Sequence, residues 1–556
     1  MIASFVEPGF LRAMGPSGFT RQVERLLLHL GFTDVVNIDG SNDHGGDLLA
    51  IRGGQRWVFQ AKWKDSGTVP TNAIEEVINA KAFYKTDHAV VVTNAHFGPQ
   101  TRKRRDELAA VGVRVELWSG KELIDLYGDN RYSAPRLPTR TLRPYQIKAF
   151  ERVVEDLDSS GRALLILATG LGKTIVGGEV IARHLQKEPS SKVLVVAPTK
   201  DLVEQLERAL WSHLPKSIRT QLLTGDNKPD DLRGVTCATI MSALAFAKKG
   251  YRPHLIMIDE AHHVGENGQL SELLEILQAS HQFGVTATPW RGDRFDIRDA
   301  FGEPSFMLGI EDGMRLGYLA DVRYRLYADN IDWDFVQSVS EHSYTIKDLN
   351  ARLFIPERDE AIRDRLIEIW AQTPNPRAVV FCRTIEHAER LAEMLGQVPQ
   401  WKGAEAVHAR LDRRERQLAL MRFRNGDVPI ITAVDILNEG VDIPDVNILC
   451  FARVTHSRRI FVQQLGRGLR LRPGKKHVEV LDFVSDIRRV AAILNMSERI
   501  AADEIETLRL AERGTTFEFS DQRAESLMRE WIKDAASLET ALDEARLQFP
   551  SPEAFN

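Results

Sequence analysis

The sequence predicts an α/β protein of several domains, and three observations carry that prediction. Between residues 142 and 485, short apolar runs alternate with helical periodicity, the pattern of parallel sheets with crossover helices. One of these runs, Leu164–Leu167, leads through a glycine-broken loop, Ala168-Thr169-Gly170-Leu171-Gly172-Lys173-Thr174, into a helix. Ahead of them, residues 1–128 hold a hairpin-turn dipeptide, Gly53-Gly54, with further strands and helices behind it. At 556 residues the chain has room for roughly three to four domains.

Composition narrows the class. With 43% hydrophobic and 27% charged residues and a mean hydropathy of −0.25, the chain reads as soluble and globular. No apolar run approaches the ~18 residues a membrane span needs. The first eleven residues carry Glu7 and Pro8 and no long apolar core, so no secretory signal is expected and the expected location is cytoplasmic. Cys237, Cys382 and Cys450 lie far apart and share no metal-ligand spacing. A net charge of −5 and a pI near 6.3 mean that any nucleic-acid surface is a local patch.

In the front domain, Phe19, Val23, Leu26, Leu27 and Leu30 recur at helical spacing on a helix that also carries Glu24. Asp47–Ile51 and Arg56–Lys62 read as two strands. With Gly53-Gly54 at the tip, Arg52 faces Gln55 and Asp47 falls opposite Gln60. Lys62 returns to that face, while Phe59, Ala61 and Trp63 point away. An acid opposite a Gln-x-Lys pair suits metal-assisted phosphodiester cleavage: Asp47 and the Gln60 oxygen hold Mg²⁺, and Lys62 orients water or meets the phosphate charge. A charge-paired surface hairpin is the plainer alternative. Helices at Glu75–Tyr84 and Lys103–Val111 and strands at Ala89–Thr93 and Val113–Trp118 complete the region. Over residues 15 to 128 this layout resembles the Mrr-like branch of the PD-(D/E)xK restriction endonuclease superfamily, carried by Gly45-Gly46-Asp47, Gln60-Ala61-Lys62 and the helical Glu24. The resemblance implies a DNA endonuclease in which glutamine replaces the second acid, with Glu24 as the residue to supply the missing charge. Arg102-Lys103-Arg104-Arg105 suits either DNA phosphates or a solvated helix face.

The second region begins after a Gly-, Asn-, Ser- and Pro-containing linker at 129–141. Candidate strands are Leu164–Leu167, Val193–Ala197, Val235–Ala238, Leu255–Ile258 and Gln282–Thr286. The glycine loop places backbone N–H groups and a helix N-terminus around one point, which suits a polyphosphate. Lys173 reaches the β and γ phosphates, and the Thr174 hydroxyl binds magnesium. Asp259-Glu260 closes the fourth strand, where Asp259 holds Mg²⁺ and Glu260 positions and deprotonates water.

These motifs resemble the superfamily 2 helicase motor. Gln146 matches its adenine-reading glutamine, Thr169, Gly170, Gly172, Lys173 and Thr174 its nucleotide loop, Asp259-Glu-Ala-His262 its DEAH-type box, and Thr286-Ala-Thr-Pro289 its coupling motif. Pro198, Thr199, Thr224, Gly225 and Thr239, then Arg383 and Thr432, fall where that superfamily touches a nucleic-acid backbone. Further on, Gly440, Asp442 and Gln463-Gln-Leu-Gly-Arg467-Gly-Leu-Arg470 match its second-lobe motifs. Arg467 and Arg470 fall three apart on one helix, so both face one cleft as γ-phosphate contacts.

The expected architecture is therefore a restriction-endonuclease-like α/β domain (1–128), a linker (129–141), two RecA-like parallel-sheet motor domains (142–320 and 358–485) joined by a segment (321–357), and a short helical tail (486–556). The aromatics of the joining segment suit a stacking platform or ordinary core packing. Leu527, Trp531, Leu538 and Leu542 make a stripe that packs on the second motor domain or meets a partner. The order is similar to the motor-nuclease subunits of type I restriction enzymes. It implies an ATP- and Mg²⁺-dependent DNA translocase with an endonuclease in restriction or antiviral defence, served by companion specificity or modification subunits. Two other classes stay open: a repair or recombination helicase whose front domain only grips DNA, and a nucleic-acid-triggered sensor or assembly ATPase acting through partner proteins. Oligomeric state is not legible.

Overall fold

The computed structural model describes residues 5–40, 44–128, 141–229, 232–265, 268–287, 296–327, 343–353, 359–434, 446–452 and 477–483, with shorter stretches up to residue 548. The chain forms two compact units. The first is Met1–Leu167, Gly172–Met307 and Asp412–Leu418; the second is Ala168–Leu171, Leu308–Leu411 and Ala419–Asn556.

The first unit contains two sheets. Its front sheet runs β1 (Thr33–Asn37), β2 (Leu48–Arg52), β3 (Gln55–Lys62), β4 (His88–Thr93) and β5 (Glu116–Trp118), in that order. The first two pairings are antiparallel and the last two parallel. Gly53 and Gly54 sit at φ +58° and +78°, the left-handed pair that a two-residue hairpin turn requires. Arg52 accordingly faces Gln55. Helix α1 (Gly15–His29) covers one face of the sheet, packing Phe19, Val23, Leu26 and Leu27 with Phe59. Helix α2 (Asn72–Tyr84) meets the opposite face of β3, and α3 (Pro99–Ala110) follows β4.

The second sheet of this unit is seven-stranded. After α4 (Pro144–Ser160) come β6 (Arg162–Leu167), α5 (Lys173–Lys187), β7 (Lys192–Ala197), α6 (Lys200–Trp211), β8 (Thr220–Leu223), β9 (Gly234–Thr239), β10 (Leu255–Asp259), β11 (His281–Thr286) and β12 (Pro304–Leu308). Their spatial order is β8-β9-β7-β10-β11-β6-β12. The pairings along β8-β9-β7-β10-β11-β6 are all parallel, as the alternating pattern requires. All five expected strands form, each within two residues of its predicted ends. β8 and β12 escaped the sequence reading because each is an edge strand of four or five residues.

The second unit is built on another seven-stranded sheet. Its strands are β13 (Asp321–Tyr327), β14 (Ala378–Cys382), β15 (Glu405–Val407), β16 (Ile430–Ala433), β17 (Ile448–Ala452), β18 (His477–Phe483) and β19 (Thr516–Phe519), in the order β15-β16-β14-β17-β18-β13-β19. Two expectations are corrected here. β13 lies in the segment taken as a connector, yet it pairs with β18 along its whole length, and its Tyr324 and Tyr327 are core residues. Buried Tyr324 donates its hydroxyl to Asp482 at 2.5 Å, which rules out a stacking platform there. The tail, expected to be helical, supplies β19 beside β13. Trp333, Phe335 and the stripe from Leu527 to Leu542 lie outside the described residues, as does most of the linker. Among the described residues no helix is long and apolar enough to cross a membrane.

Candidate nucleotide and nuclease sites

The glycine loop leaves the C-terminal end of β6, between β11 and β12. Gly170 and Gly172 hold φ +91° and +88°, and Gly172 caps α5. Leu171 N–H donates to the Ala168 carbonyl at 3.1 Å, and Ile175 N–H to Gly172 at 3.0 Å, so the loop is a closed turn feeding a helix N-terminus. Buried Gln146 braces it from α4: its Oε1 accepts the Arg143 N–H at 2.9 Å, and its Nε2 lies 2.5 Å from where a Gly172 Cβ would stand. That close approach leaves room for backbone alone, the cradle a polyphosphate and its cation need. Gly172→Ala must therefore both leave the left-handed region and displace Gln146. Nucleotide affinity is expected to fall about tenfold or more in a fluorescent-nucleotide titration.

Parallel pairing sets the other nucleotide residues on the same sheet edge. Asp259 ends β10 opposite Val285, and Thr286 ends β11 opposite Ile166. Glu260 holds φ +50°, a left-handed conformation uncommon outside glycine and found at constrained functional positions. His262 Nδ1 lies 3.0 Å from Thr286 Oγ1 and 3.3 Å from Glu260 Oε2, so one buried imidazole links the acidic box to the coupling motif. Lys173 and Thr174 are half-exposed at the start of α5. Thr169 and Gly170 are half-exposed in the loop itself.

The proposed nucleic-acid contacts divide. Pro198 and Thr199 follow β7, Thr224 and Gly225 follow β8, and Thr239 ends β9, so three neighbouring strands bring them to one edge. Thr199 Oγ1 also caps α6 by accepting the Leu202 N–H at 3.3 Å. Thr224 is buried and accepts the Asn227 N–H at 3.3 Å, which leaves Gly225 as the exposed member of that pair. In the second unit Arg383 is exposed after β14. Thr432 is a correction. Its side chain is fully buried on β16 and donates to the Ala388 carbonyl at 2.8 Å, tying strand to helix where no polynucleotide reaches. Arg470 is described, in an isolated bridge with Leu319. Gly440, Asp442, Gln463, Arg467 and the Thr288-Pro289 half of the coupling motif lie outside the described residues.

Of the residues expected to form the nuclease motif, Gln60 and Lys62 lie on the face of β3 that meets α2, and Asp47 lies just before β2. Asp47 N–H donates to the Phe59 carbonyl at 2.8 Å, while Leu48 is also the partner of Phe59. Two residues thus oppose one, a bulge that moves Asp47 off strict opposition to Gln60. Its carboxylate accepts the Ala61 N–H at 2.5 Å, which anchors it across β3. Gln60 is 4% exposed, and its buried Oε1 has no hydrogen-bond partner. An orphaned amide oxygen beside a buried carboxylate fits a divalent cation better than it fits a packed core. Lys62 Nζ pairs with Glu76 of α2 at 2.5 Å. Sequence reasoning missed Glu76, since nothing in Glu75-Glu76 tells which of the two faces the sheet.

Glu24 does not join this site. It rides on α1, which packs on the Phe59 face. Its carboxylate is engaged by Arg208 of α6, at 2.6 Å from Nε and 2.9 Å from Nη2. The same helix sends Arg21 to Glu207 at 3.3 Å, Arg25 Nη1 to the Ile218 carbonyl at 2.9 Å and Gln22 Nε2 to the Thr220 carbonyl at 3.4 Å. Lys216 Nζ donates to the Tyr127 carbonyl at 2.7 Å. α1 thus has two buried faces, apolar toward the front sheet and polar toward α6 and β8. The basic cluster on α3 is largely paired: Arg104 with Glu75 at 2.7 Å and Arg105 with Asp106 at 2.8 Å. Among the described residues no three His, Cys, Asp or Glu side chains form a ready metal cage.

Fold and motifs together define the class: a restriction-endonuclease domain followed by the two parts of a superfamily 2 helicase motor. Residues 11–127 match the model for the restriction endonuclease (Mrr catalytic) domain, 139–291 that for the type III restriction enzyme res subunit, and 359–472 that for the helicase conserved C-terminal domain. Among curated relatives, the EcoAI type I restriction enzyme endonuclease subunit of Escherichia coli is 25% identical over 65% of this chain and 47% of its own length. The DNA 3'-5' translocase XPB2 of Sulfurisphaera tokodaii is 25% identical over 64% of this chain and 84% of its own length. The DNA-bound type ISP restriction-modification enzyme LlaBIII shares the fold, at TM-score 0.53 and 19% identity over 90% of this chain and 40% of that one. This chain thus spans about half or less of the two restriction enzymes it matches.

Proposed function

We propose that this chain is an ATP-driven DNA translocase or helicase coupled to a Mg²⁺-dependent endonuclease, working in restriction or antiviral defence with companion specificity or modification subunits. One observation carries the reading. It is the buried Gln60 Oε1, which has no hydrogen-bond partner and lies one residue from the Ala61 N–H that anchors the Asp47 carboxylate, in a domain that buried ion pairs fasten to the nucleotide-binding sheet. A front domain that merely gripped DNA has no use for a buried, unsatisfied amide oxygen beside a carboxylate.

In the motor, the Gly172–Thr174 backbone and Lys173 hold the triphosphate, Gln146 braces the loop and reads the base, and Asp259 and Thr174 hold the cation. Glu260 accepts a proton from the attacking water, and its contact with His262, and through His262 with Thr286, passes the nucleotide state to the neighbouring strand end. Pro198, Thr199, Gly225 and Thr239 position a DNA backbone without reading sequence. In the nuclease, Asp47 and Gln60 hold a divalent cation, and Lys62 aligns water and offsets phosphate charge. The cation, when bound, supplies Lewis-acid stabilisation of the scissile phosphate. Residues 1–128 form the nuclease and 142–320 the first motor lobe in this reading.

The test compares cleavage of linear, circular and modified duplex DNA with and without ATP. Wild type is expected to cut only when a divalent cation such as Mg²⁺ or Mn²⁺ is supplied, and Lys62→Ala to lose at least about 100-fold in cutting rate while its ATPase persists. Unchanged cutting by Lys62→Ala sinks the nuclease assignment. A wild type that hydrolyses ATP yet moves along no DNA favours the sensor class instead.

A further inference from the structure

Helix α2 touches the nuclease motif at several points, and Glu76 makes two of the contacts. The loop delivering Asp47 crosses α2 at Gly45, which holds φ +85°; a Cβ there would stand 2.4 Å from the Glu76 carbonyl oxygen. The Glu76 side chain then reaches β3, where its Oε2 pairs with Lys62 Nζ at 2.5 Å. Its Oε1 accepts Asn72 Nδ2 at 2.9 Å, so the carboxylate is held from both sides. It remains one-third exposed and within reach of solutes. Its neighbour Glu75 is turned outward to Arg104.

Charge shows what this contact does. Asp47 and Lys62 cancel and Gln60 is neutral, so without Glu76 the motif carries no net charge to attract a divalent cation. A free lysine stem also has several rotatable bonds, and an ammonium left to sample them spends little time over a phosphate. We propose that Glu76 is the second acid of the nuclease site, a positioning residue that fixes Lys62 Nζ and restores the negative charge that Gln60 lacks. This rests on the nuclease reading above, and the following test separates the two.

Mn²⁺ alone is titrated into the purified full chain by the electron paramagnetic resonance of the free ion, for wild type, Asp47→Asn, Glu76→Gln and Glu76→Asp. The site is the Mn²⁺ lost in Asp47→Asn, and thermal melting confirms that each variant is folded. Glu76→Gln is expected to weaken that site about tenfold, and Glu76→Asp to recover part of the loss. In Mn²⁺-supported DNA cleavage, Glu76→Gln is expected to lower kcat with little change in KM for DNA. Wild-type Mn²⁺ affinity and wild-type kcat in Glu76→Gln overturn the proposal and leave the nuclease standing. Absence of any Asp47-dependent Mn²⁺ in the wild type overturns it as well. If the wild type binds Mn²⁺ there but cuts no DNA, the nuclease reading fails, and the affinity of Glu76→Gln still decides the role of Glu76.

Discussion

Lys173→Ala is expected to remove ATP hydrolysis by about 10²–10³-fold or more, and every ATP-dependent DNA movement or cleavage with it. The loop around Lys173 offers backbone N–H groups and a helix N-terminus, which orient a polyphosphate but supply only partial charge. Charge that develops on the transferred phosphoryl group needs a full cation at a fixed place, and Lys173 is the residue at the head of α5 that provides one. Steady-state phosphate release with saturating duplex DNA measures this directly. The variant should melt like the wild type, since Lys173 is half-exposed and sits outside the packed core. If hydrolysis survives at a tenth of the wild-type rate or better, the glycine loop is not the fuel site.

Much of this was legible in the sequence because periodicity and turn chemistry act locally. Gly53-Gly54 set the hairpin register from Arg52–Gln55 to Leu48–Phe59, and strand alternation then sets the face shared by Gln60 and Lys62. Short continuous apolar runs such as Leu164–Leu167 and Leu255–Ile258, four residues long and set between helical stretches, are too short for buried helices and read as strands buried on both faces. What was not legible depends on which element packs against which. Glu24 and Glu76 are both helical glutamates within reach of the motif by sequence, and only the docking of α1 and α2 on opposite faces separates them. Thr432 is expected at the nucleic-acid backbone only from the superfamily resemblance, yet it sits inside the strand, against α7 (Ile385–Gly396). β13 does carry a strand signal, Val322, Tyr324 and Leu326 alternating with Arg323 and Arg325, but it is not the continuous apolar run by which the other sheet strands stand out. The bulge at Asp47 adds a residue that strict counting from the turn does not foresee.

Removing Glu207 is expected to cost about 3–5 kcal/mol in the first unfolding transition, the largest effect on stability that any single substitution at this seam should show. Glu207 of α6 is fully buried beneath α1, and burial pushes its carboxyl above the usual carboxylate range even though Arg21 and Thr220 favour the charged form. Arg25, equally buried, is lowered to about 10 by desolvation, with Glu207 working against that shift. Each charge is tolerable only because the other is near, so Glu207→Ala strands Arg21 and Arg25 in a low-dielectric seam. The sign of the pH dependence follows. A carboxyl raised in the folded state contributes most below its unfolded value, and that contribution is lost as pH rises through the folded value. Glu207→Ala should therefore flatten the fall in stability above about pH 4 that this group imposes. Urea unfolding at two pH values measures both terms. A functional consequence separates this seam from ordinary core packing: with Glu207 gone, ATP hydrolysis should persist under mild conditions while ATP-dependent DNA cleavage falls, because the buried pairs of α1 carry the nuclease with the nucleotide-binding sheet. Equal loss of both activities would mean that Glu207 holds the motor sheet together and has no special part in carrying the nuclease.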